Sequence, residues 1–455
     1  MSLNQTDFGN IYFKKPKEIF FPESVDALKQ IVSKLYNEEK KFVIRNTGHS
    51  VNGQTLTSDY QIDLSKLKSI NFNEEELEVT CLAGDTWIDI FNKIKFPKYA
   101  LPVFPNNPGQ KIQIGGTASV GGIGPYSFKY GGLWNYIKRI KLILPNGEEL
   151  ECSRNKNEEY FKYAVGGFGK IGIICELTFE VIKSNKKIAI LEILNFSDKK
   201  YFQNIETALG NNSIVGISGI SKGGKFFGTS PNALMLILES DNLENDFYNL
   251  DSKFENNPIR LILKENKKEY FDFNFTYTEI NKKQIFEYYP IDLNRDHIKG
   301  IHPWADFIFD FENYQTFLPI LREVIQNYNL EKYILTQSFL NGKMSINIMP
   351  TYIGKYLGND FPLVPEVVKI KDAYSYGIGF MPTIPKHEIK KTLNAISDLT
   401  KLTYQLNGKR YLYGIHNLSQ DNLEKQFGKE TLETWIKIKK EVDPKNLLNS
   451  HVIFQ

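Results

Sequence analysis

Cysteine is scarce in this chain. Cys81, Cys152 and Cys175 form no CxxC pair, and each sits in or beside an apolar run, so they read as reduced, buried thiols. Charge of one sign is also lacking: 56 Lys and Arg are scattered among 53 Asp and Glu, a formal net charge of +3, and no basic footprint points to nucleic acid. No apolar stretch reaches the roughly 18 residues that a membrane-spanning helix needs, which argues against a membrane partner. The opening MSLNQTDFGNIYFKKPKEIFF is interrupted by Asp7, Lys14 and Lys15 and lacks the apolar core of a signal peptide, so the expected location is cytoplasmic. The six histidines make no HExxH and no Cys/His cluster, so no metal site is expected. A GxSxG elbow and a GxxxxGK[ST] loop are both missing, and hydrolase and kinase readings have no residues to stand on.

What is present is enough chain for more than one core, 455 residues with 41% hydrophobic and 24% charged, ordinary for a globular protein; two domains are expected, interleaved or consecutive, and the middle, about residues 185–405, alternates strands such as ALMLILES with helices such as FLPILREVIQNY, an α+β pattern. Ser24 can cap a helix with Val25, Leu28, Ile31, Val32 and Leu35 on its apolar face. The strand KFVIR then runs directly into the polar, Gly-containing turn NTGHSVNGQ. Thr86 opens a helix carrying Trp87, Ile90, Phe91 and Ile94, and a long Pro- and Gly-rich stretch from Phe96 to Gly132 follows, of a length usually tied to function. Glu158 to Val165 reads as a helix and IICELTFEVI as a buried strand. Lys183 to Lys187 forms a charged break, so the expected domains are residues 1–183, 184–405 and a carboxy-terminal segment 406–455. One last helix is expected from Leu423 to Val442, with the chain finishing on the strand VIF.

Two Gly-rich loops carry the chemistry. In GHSVNGQ, Gly48 to Gln54, small and polar residues follow a strand, so backbone amides can point inward at an anion such as a pyrophosphate. A lone His in such a loop is ordinarily structural. The second stretch, IGGTASVGGIGPYSFKYGG, changes that reading, because Gly115, Gly116, Gly121, Gly122 and Gly124 let backbone and cofactor approach closely. GGFGKIG matches GxGxxG at Gly167, Gly169 and Gly172, but a helix precedes it and a strand follows, the reverse of a Rossmann fingerprint. It reads as a tight turn that can border a cofactor.

In order and spacing, RNTGHSVNGQ, QIDLSKLKSI, LAGDTWIDI, IGGTASVGGIG, KYGG and AVGGFGKIGIICELTFEV resemble the FAD domain of the vanillyl-alcohol oxidase and p-cresol methylhydroxylase superfamily over roughly residues 15–183. HPWADFIF and the segment beginning RYLYGIHNLSQ are similar to the corresponding segments of cytokinin dehydrogenases. The resemblance implies a two-domain flavoprotein with a p-cresol-methylhydroxylase-type FAD domain and an α+β substrate domain, its carboxy-terminal segment folding back onto the FAD domain. It implies FAD bonded through its 8α-methyl to His49, with Arg45, Asn46, Thr47, Gly48, Ser50 and Gln54 lining the pyrophosphate. Gly115, Gly116, Ser119, Ile174 and Tyr411 are the further cofactor contacts it implies, and Trp304 and Leu412 the pocket wall. The reaction implied is hydride transfer from a small amine, an N6-substituted adenine being the leading candidate, with a quinone-type acceptor or oxygen taking the electrons. Alternatives are oxidation of an alcohol or another amine in a biosynthetic pathway, or flavin binding without turnover.

The chain departs from that family at its proton acceptor. Members carry an Asp about eight residues before GGT, whereas FPNNPGQKIQIGG holds Asn106, Asn107 and Pro108, and an amide cannot be a general base. Glu239 of LILES falls on the family's pocket glutamate. Alternation along the strand after HPW puts Asp306 on the face of Trp304, which leaves two readings: Glu239 and Asp306 form an acidic catalytic pair, Asp306 replacing the absent base, or Asp306 pairs with a Lys or Arg of the middle domain and does no chemistry.

Overall fold

Helix Val25–Asn37 starts where Ser24 accepts a hydrogen bond from the Ala27 amide, and it buries Leu28, Val32 and Leu35. It belongs to a computed structural model that describes residues 5–95, 98–105, 112–184, 187–195, 197–221, 232–240, 254, 259–261, 300–333, 336–339, 344–347, 349–357, 360–366, 374–416 and 418–454. The buried face packs on Phe42, Ile62 and Leu64, beside a small parallel sheet ordered Glu18–Phe20, Tyr60–Asp63, Phe42–Arg45. A five-stranded antiparallel sheet lies beyond it, ordered Glu149–Ser153, Ile137–Ile143, Ile173–Glu180, Glu78–Leu82, Ile70–Asn73. Its central strand, Ile173–Glu180, is buried on nearly every position, as its apolar run IICELTF requires of a strand covered on both faces. Helix Trp87–Lys93 begins in a capping box between Thr86 and Asp89 and buries Trp87, Ile90 and Phe91 in the same core.

The second domain is built on an eight-stranded sheet, ordered Ile259–Leu261, Lys187–Asn195, Asn232–Ser240, Ile214–Ser221, Met349–Lys355, Tyr374–Phe380, Ala305–Phe309, Lys409–Tyr411. All its pairings are antiparallel. Phe307 and Phe309 point into a core shared with helices Phe311–Asn327 and Ile389–Gln405. Period-two alternation leaves Asp306 and Ile308 on the opposite face, toward the first domain; Ile308 there borders a small cavity together with Ile123 and Trp134.

Three expectations need adjustment. The sheet includes Lys409–Tyr411, so the chain leaves the second domain after 411 rather than at 406. The single last helix is two, Gln420–Phe427 and Lys429–Val442, because Gly428 between them adopts φ 83° and cannot continue a helix. Both still pack Leu423, Phe427, Leu432 and Trp435 onto the core of the first domain. The closing VIF is a bend, not a strand: the Val452 amide donates to the Asn449 carbonyl and the Phe454 amide to the Val452 carbonyl, so the segment folds on itself instead of pairing.

Candidate functional site

Strand Phe42–Arg45 delivers the loop of His49 to a cavity of about 290 Å³ between the two domains. Gly48 turns the loop with φ 76°, and a Cβ there would collide with the Arg45 guanidinium. Arg45 is buried beneath the loop, donating to Thr55 Oγ1 (3.0 Å) and to the Thr6 carbonyl (3.3 Å), and it does not line the cavity. It supports the loop from behind instead of lining the site. Asn46, Thr47, Gly48, His49, Ser50 and Gln54 all line the wall.

The second Gly-rich loop forms the adjoining wall through helix Ile114–Ser119. Gly115 sits so close to the turn at Ala83 that an added Cβ would lie 2.6 Å from the Ala83 Cβ. That same turn binds both loops: the Ala83 carbonyl accepts from Asn46 Nδ2 (3.1 Å) and from the Gly115 amide (3.1 Å). Gln113, which sequence reasoning missed, donates its amide to Thr47 Oγ1 and its side chain to the Gly84 carbonyl. Gly115, Gly116, Ser119 and Ile174 line the cavity, and Phe168, Gly169 and Gly172 of the GxGxxG turn border it as well. Asn449 joins these pieces, accepting from the Ile44 amide and donating to the Gly169 carbonyl. Nothing in its local sequence marks it.

The far wall comes from the large sheet and its edge: Trp304, Met381, Tyr411 and Tyr413. Trp304 is fixed by its Nε1–H, which donates to the Pro382 carbonyl at 3.2 Å. Phe8, from the turn of an amino-terminal hairpin in which Gln5–Thr6 pairs with Phe13–Lys14, completes the ring of residues and was not expected. Leu412 is not on the wall; its carbonyl accepts from Gln54 Nε2 at 2.6 Å while its side chain packs in the first core. Asp306 and Glu239 are both buried and neither lines the cavity. Asp306 lies directly across from Tyr411 in the sheet, near the charge of Arg410. Glu239 accepts from Ser184 Oγ at 3.0 Å, and its charge adds to burial in pushing the Tyr130 hydroxyl up. Three strands separate theirs, about 19 Å at the usual strand spacing. The expected acidic pair is therefore corrected: these two carboxylates do not share a site. Asn106, Asn107 and Pro108 lie outside the described residues.

Among the described residues the cavity wall has no Asp, Glu, Lys or Arg. Two lining residues present buried polar atoms with no protein partner among the described residues, Ser50 Oγ and Gln113 Oε1. Such atoms are costly unless a bound group satisfies them. An apolar slot with a few convergent polar atoms and close-approaching backbone fits a dinucleotide with a planar ring system.

Behind Gln54 lies His416, another residue without a sequence signal. Its Nε2 is 2.8 Å from Gln54 Nε2 and 3.2 Å from Asn52 Nδ2, so with both amides donating the imidazole is an acceptor and neutral. Burial, then the charge of Arg410, lowers it from 6.5 to about 3. Between those two values the unfolded chain holds a proton that the folded one does not, so stability is present above pH 6.5 and is lost as pH falls toward 3. The expected slope from this residue is about 1.4 kcal/mol per pH unit. His416→Gln should flatten the acid limb of the unfolding midpoint against pH; an unchanged limb would remove His416 from it.

Residues 16–153 match the FAD binding domain family, so the chain carries an FAD-binding domain of p-cresol-methylhydroxylase type. It is similar to cytokinin dehydrogenase 2 of Arabidopsis thaliana, 31% identical over 37% of this chain and 34% of that protein. Cytokinin dehydrogenase 1 of the same plant is 28% identical over 43% of this chain and 35% of its own length. The D-arabinono-1,4-lactone oxidase of Candida glabrata is 28% identical over 42% of this chain and 37% of its own. The chain thus spans about a third of the length of these curated relatives. No helix among the described residues is long and apolar enough to cross a membrane.

Proposed function

We propose that the protein is an FAD-dependent oxidoreductase that takes hydride from a small amine, with an N6-substituted adenine as the leading substrate, and holds its flavin covalently through His49. The observation that carries this reading is the cavity itself, with both Gly-rich loops and His49 on one side and Trp304 and Tyr411 of the second domain on the other. Ser50 and Gln113 would meet the polar part of the dinucleotide, Gly115 and Gly116 would let it approach the backbone, and His49 would anchor its ring system. Bound FAD supplies the hydride acceptor. Trp304, held by Pro382, would wall the far side of the slot against a flat substrate, and the apolar lining would keep water out of it. Quinone-type acceptors or oxygen would remove the electrons.

A second reading, oxidation of an alcohol or another amine, has its own support. No carboxylate lines the described wall, and burial first, then Asp306, raises the Tyr411 hydroxyl well above its usual range, so it keeps its proton at neutral pH and cannot act as a general base. The similarity to a lactone oxidase points the same way. Asp306 acts on the cavity through Tyr411, as a positioning residue. Asp306→Asn should therefore lower anaerobic flavin reduction by less than about tenfold, well short of the 10²-fold or more expected on removing a general base. A larger loss at unchanged flavin content would restore Asp306 as the proton acceptor. The test of the function is an anaerobic screen of amines, alcohols and adenine derivatives: a substrate bleaches the visible flavin band, whereas mere binding shifts it without bleaching.

A further inference from the structure

Residues 6–10 touch both walls of the cavity. The Phe8 amide donates to the Ser50 carbonyl at 3.1 Å and the Gly53 amide to Asp7 Oδ2 at 3.2 Å, which secures the hairpin to the His49 loop from its inner side. On the other side the His302 amide donates to the Gly9 carbonyl at 2.8 Å and Asn10 Nδ2 to the Gly300 carbonyl at 3.3 Å, which secures it to the segment leading to Trp304. Gly9 is required at that crossing, because a Cβ would lie 2.7 Å from Val51 Cγ1 and 2.9 Å from the His302 carbonyl oxygen. Asp7 is wholly buried, and its other oxygen accepts the amides of Ile11 and Tyr12, which shapes the hairpin from within.

Between these two anchor points stands Phe8, 4% exposed. Its ring centroid is 5.4 Å from the His49 imidazole and 5.2 Å from the Trp304 indole, tilted against both. A rigid ring wedged between these two limits the rotamers open to His49 without hydrogen-bonding to it.

We propose that Phe8 is a positioning residue for His49, and that the hairpin at residues 6–10 is a strap that holds the imidazole at the flavin's attachment point. This rests on the covalent reading given above. Attachment replaces one C–H bond of the flavin 8α-methyl and the N–H bond of the imidazole with one C–N bond, and the two hydrogens and two electrons leave on dioxygen as hydrogen peroxide. The bond forms only when the ring nitrogen faces that carbon, and small misplacements of a reacting group cost large factors in rate.

The experiment compares wild type, Phe8→Ala and Phe8→Leu as purified, measuring total flavin after proteolysis, acid-stable flavin, thermal unfolding and FAD retention on gel filtration. In Phe8→Ala the acid-stable share of bound flavin should fall by about tenfold, with total flavin retained. Phe8→Leu keeps the packing volume but loses the flat ring, and should fall between the two while unfolding at the wild-type temperature. A wild-type acid-stable share in both variants overturns the strap. Acid-labile flavin in wild type itself would overturn the covalent reading and the strap with it, whereas an acid-stable wild type with unchanged variants overturns the strap alone.

Discussion

His49→Ala leaves a colourless protein pellet after acid precipitation, with all remaining flavin in the supernatant. This follows if the imidazole is the one bond between chain and cofactor. The three cysteines that could have made a second bond are buried in the sheets and none lines the cavity, while their thiols are pushed up by burial and are poor nucleophiles. The cradle around His49 survives the substitution: Asn46 and Gln113 still tie the two Gly-rich loops to the turn at 83–84, and Ser50 still lines the wall. The variant should therefore bind FAD reversibly and fold normally. On the covalent reading, losing the 8α substituent should also lower the flavin's reduction potential, so that substrate reduces it more slowly. Gel fluorescence and acid precipitation check the first part, and stopped-flow anaerobic reduction the second. Flavin that stays acid-stable without His49 would end the assignment.

Gly124→Ala should lose both flavin and stability. A Cβ at 124 would overlap the carbonyl oxygen of Phe104, and the obstacle is backbone, which cannot rotate aside as a side chain can. Relieving the overlap moves Phe104 and Pro105, and Pro105 lines the cavity. Phe104 is itself packed against Phe91 and Tyr126 in the first core. Overpacking of this kind costs about 1–3 kcal/mol, seen as a lowered unfolding midpoint together with substoichiometric FAD. Gly116→Ala is the informative contrast. There a Cβ meets Asn46 at an ordinary 3.5 Å, so the unfolding midpoint should hold while a methyl on the cavity wall weakens FAD binding. Equal loss of midpoint in both variants would refute the distinction drawn between the two positions.

The parts of this molecule legible from sequence are those whose signal is local. The loop at 48–54, the helix after Ser24 and the helix opened by Thr86 are each written within about ten residues, and the structure has all three. The order of the eight-stranded sheet is not local, and that is why alternation could place Asp306 on the face of Trp304 yet say nothing of the three strands between it and Glu239. The resemblance implies Arg45 as a cofactor contact together with the rest of its motif; only the turn at Gly48, where a Cβ would meet the Arg45 guanidinium, shows the chain folding over it. Phe8, Gln113, His416 and Asn449 reach the site by crossing tens to hundreds of residues of sequence, and none sits in a pattern that periodicity or turn chemistry detects.

The wall that brings Phe8 together with Val452 also sets a timetable for synthesis. A chain still on the ribosome can fold helix Val25–Asn37 and its strands early, yet strand Phe42–Arg45 waits for Leu448 and Asn449 before its neighbourhood is complete. The cavity wall is therefore complete only after translation has passed residue 452, and until then its apolar side chains lack the surface that covers them.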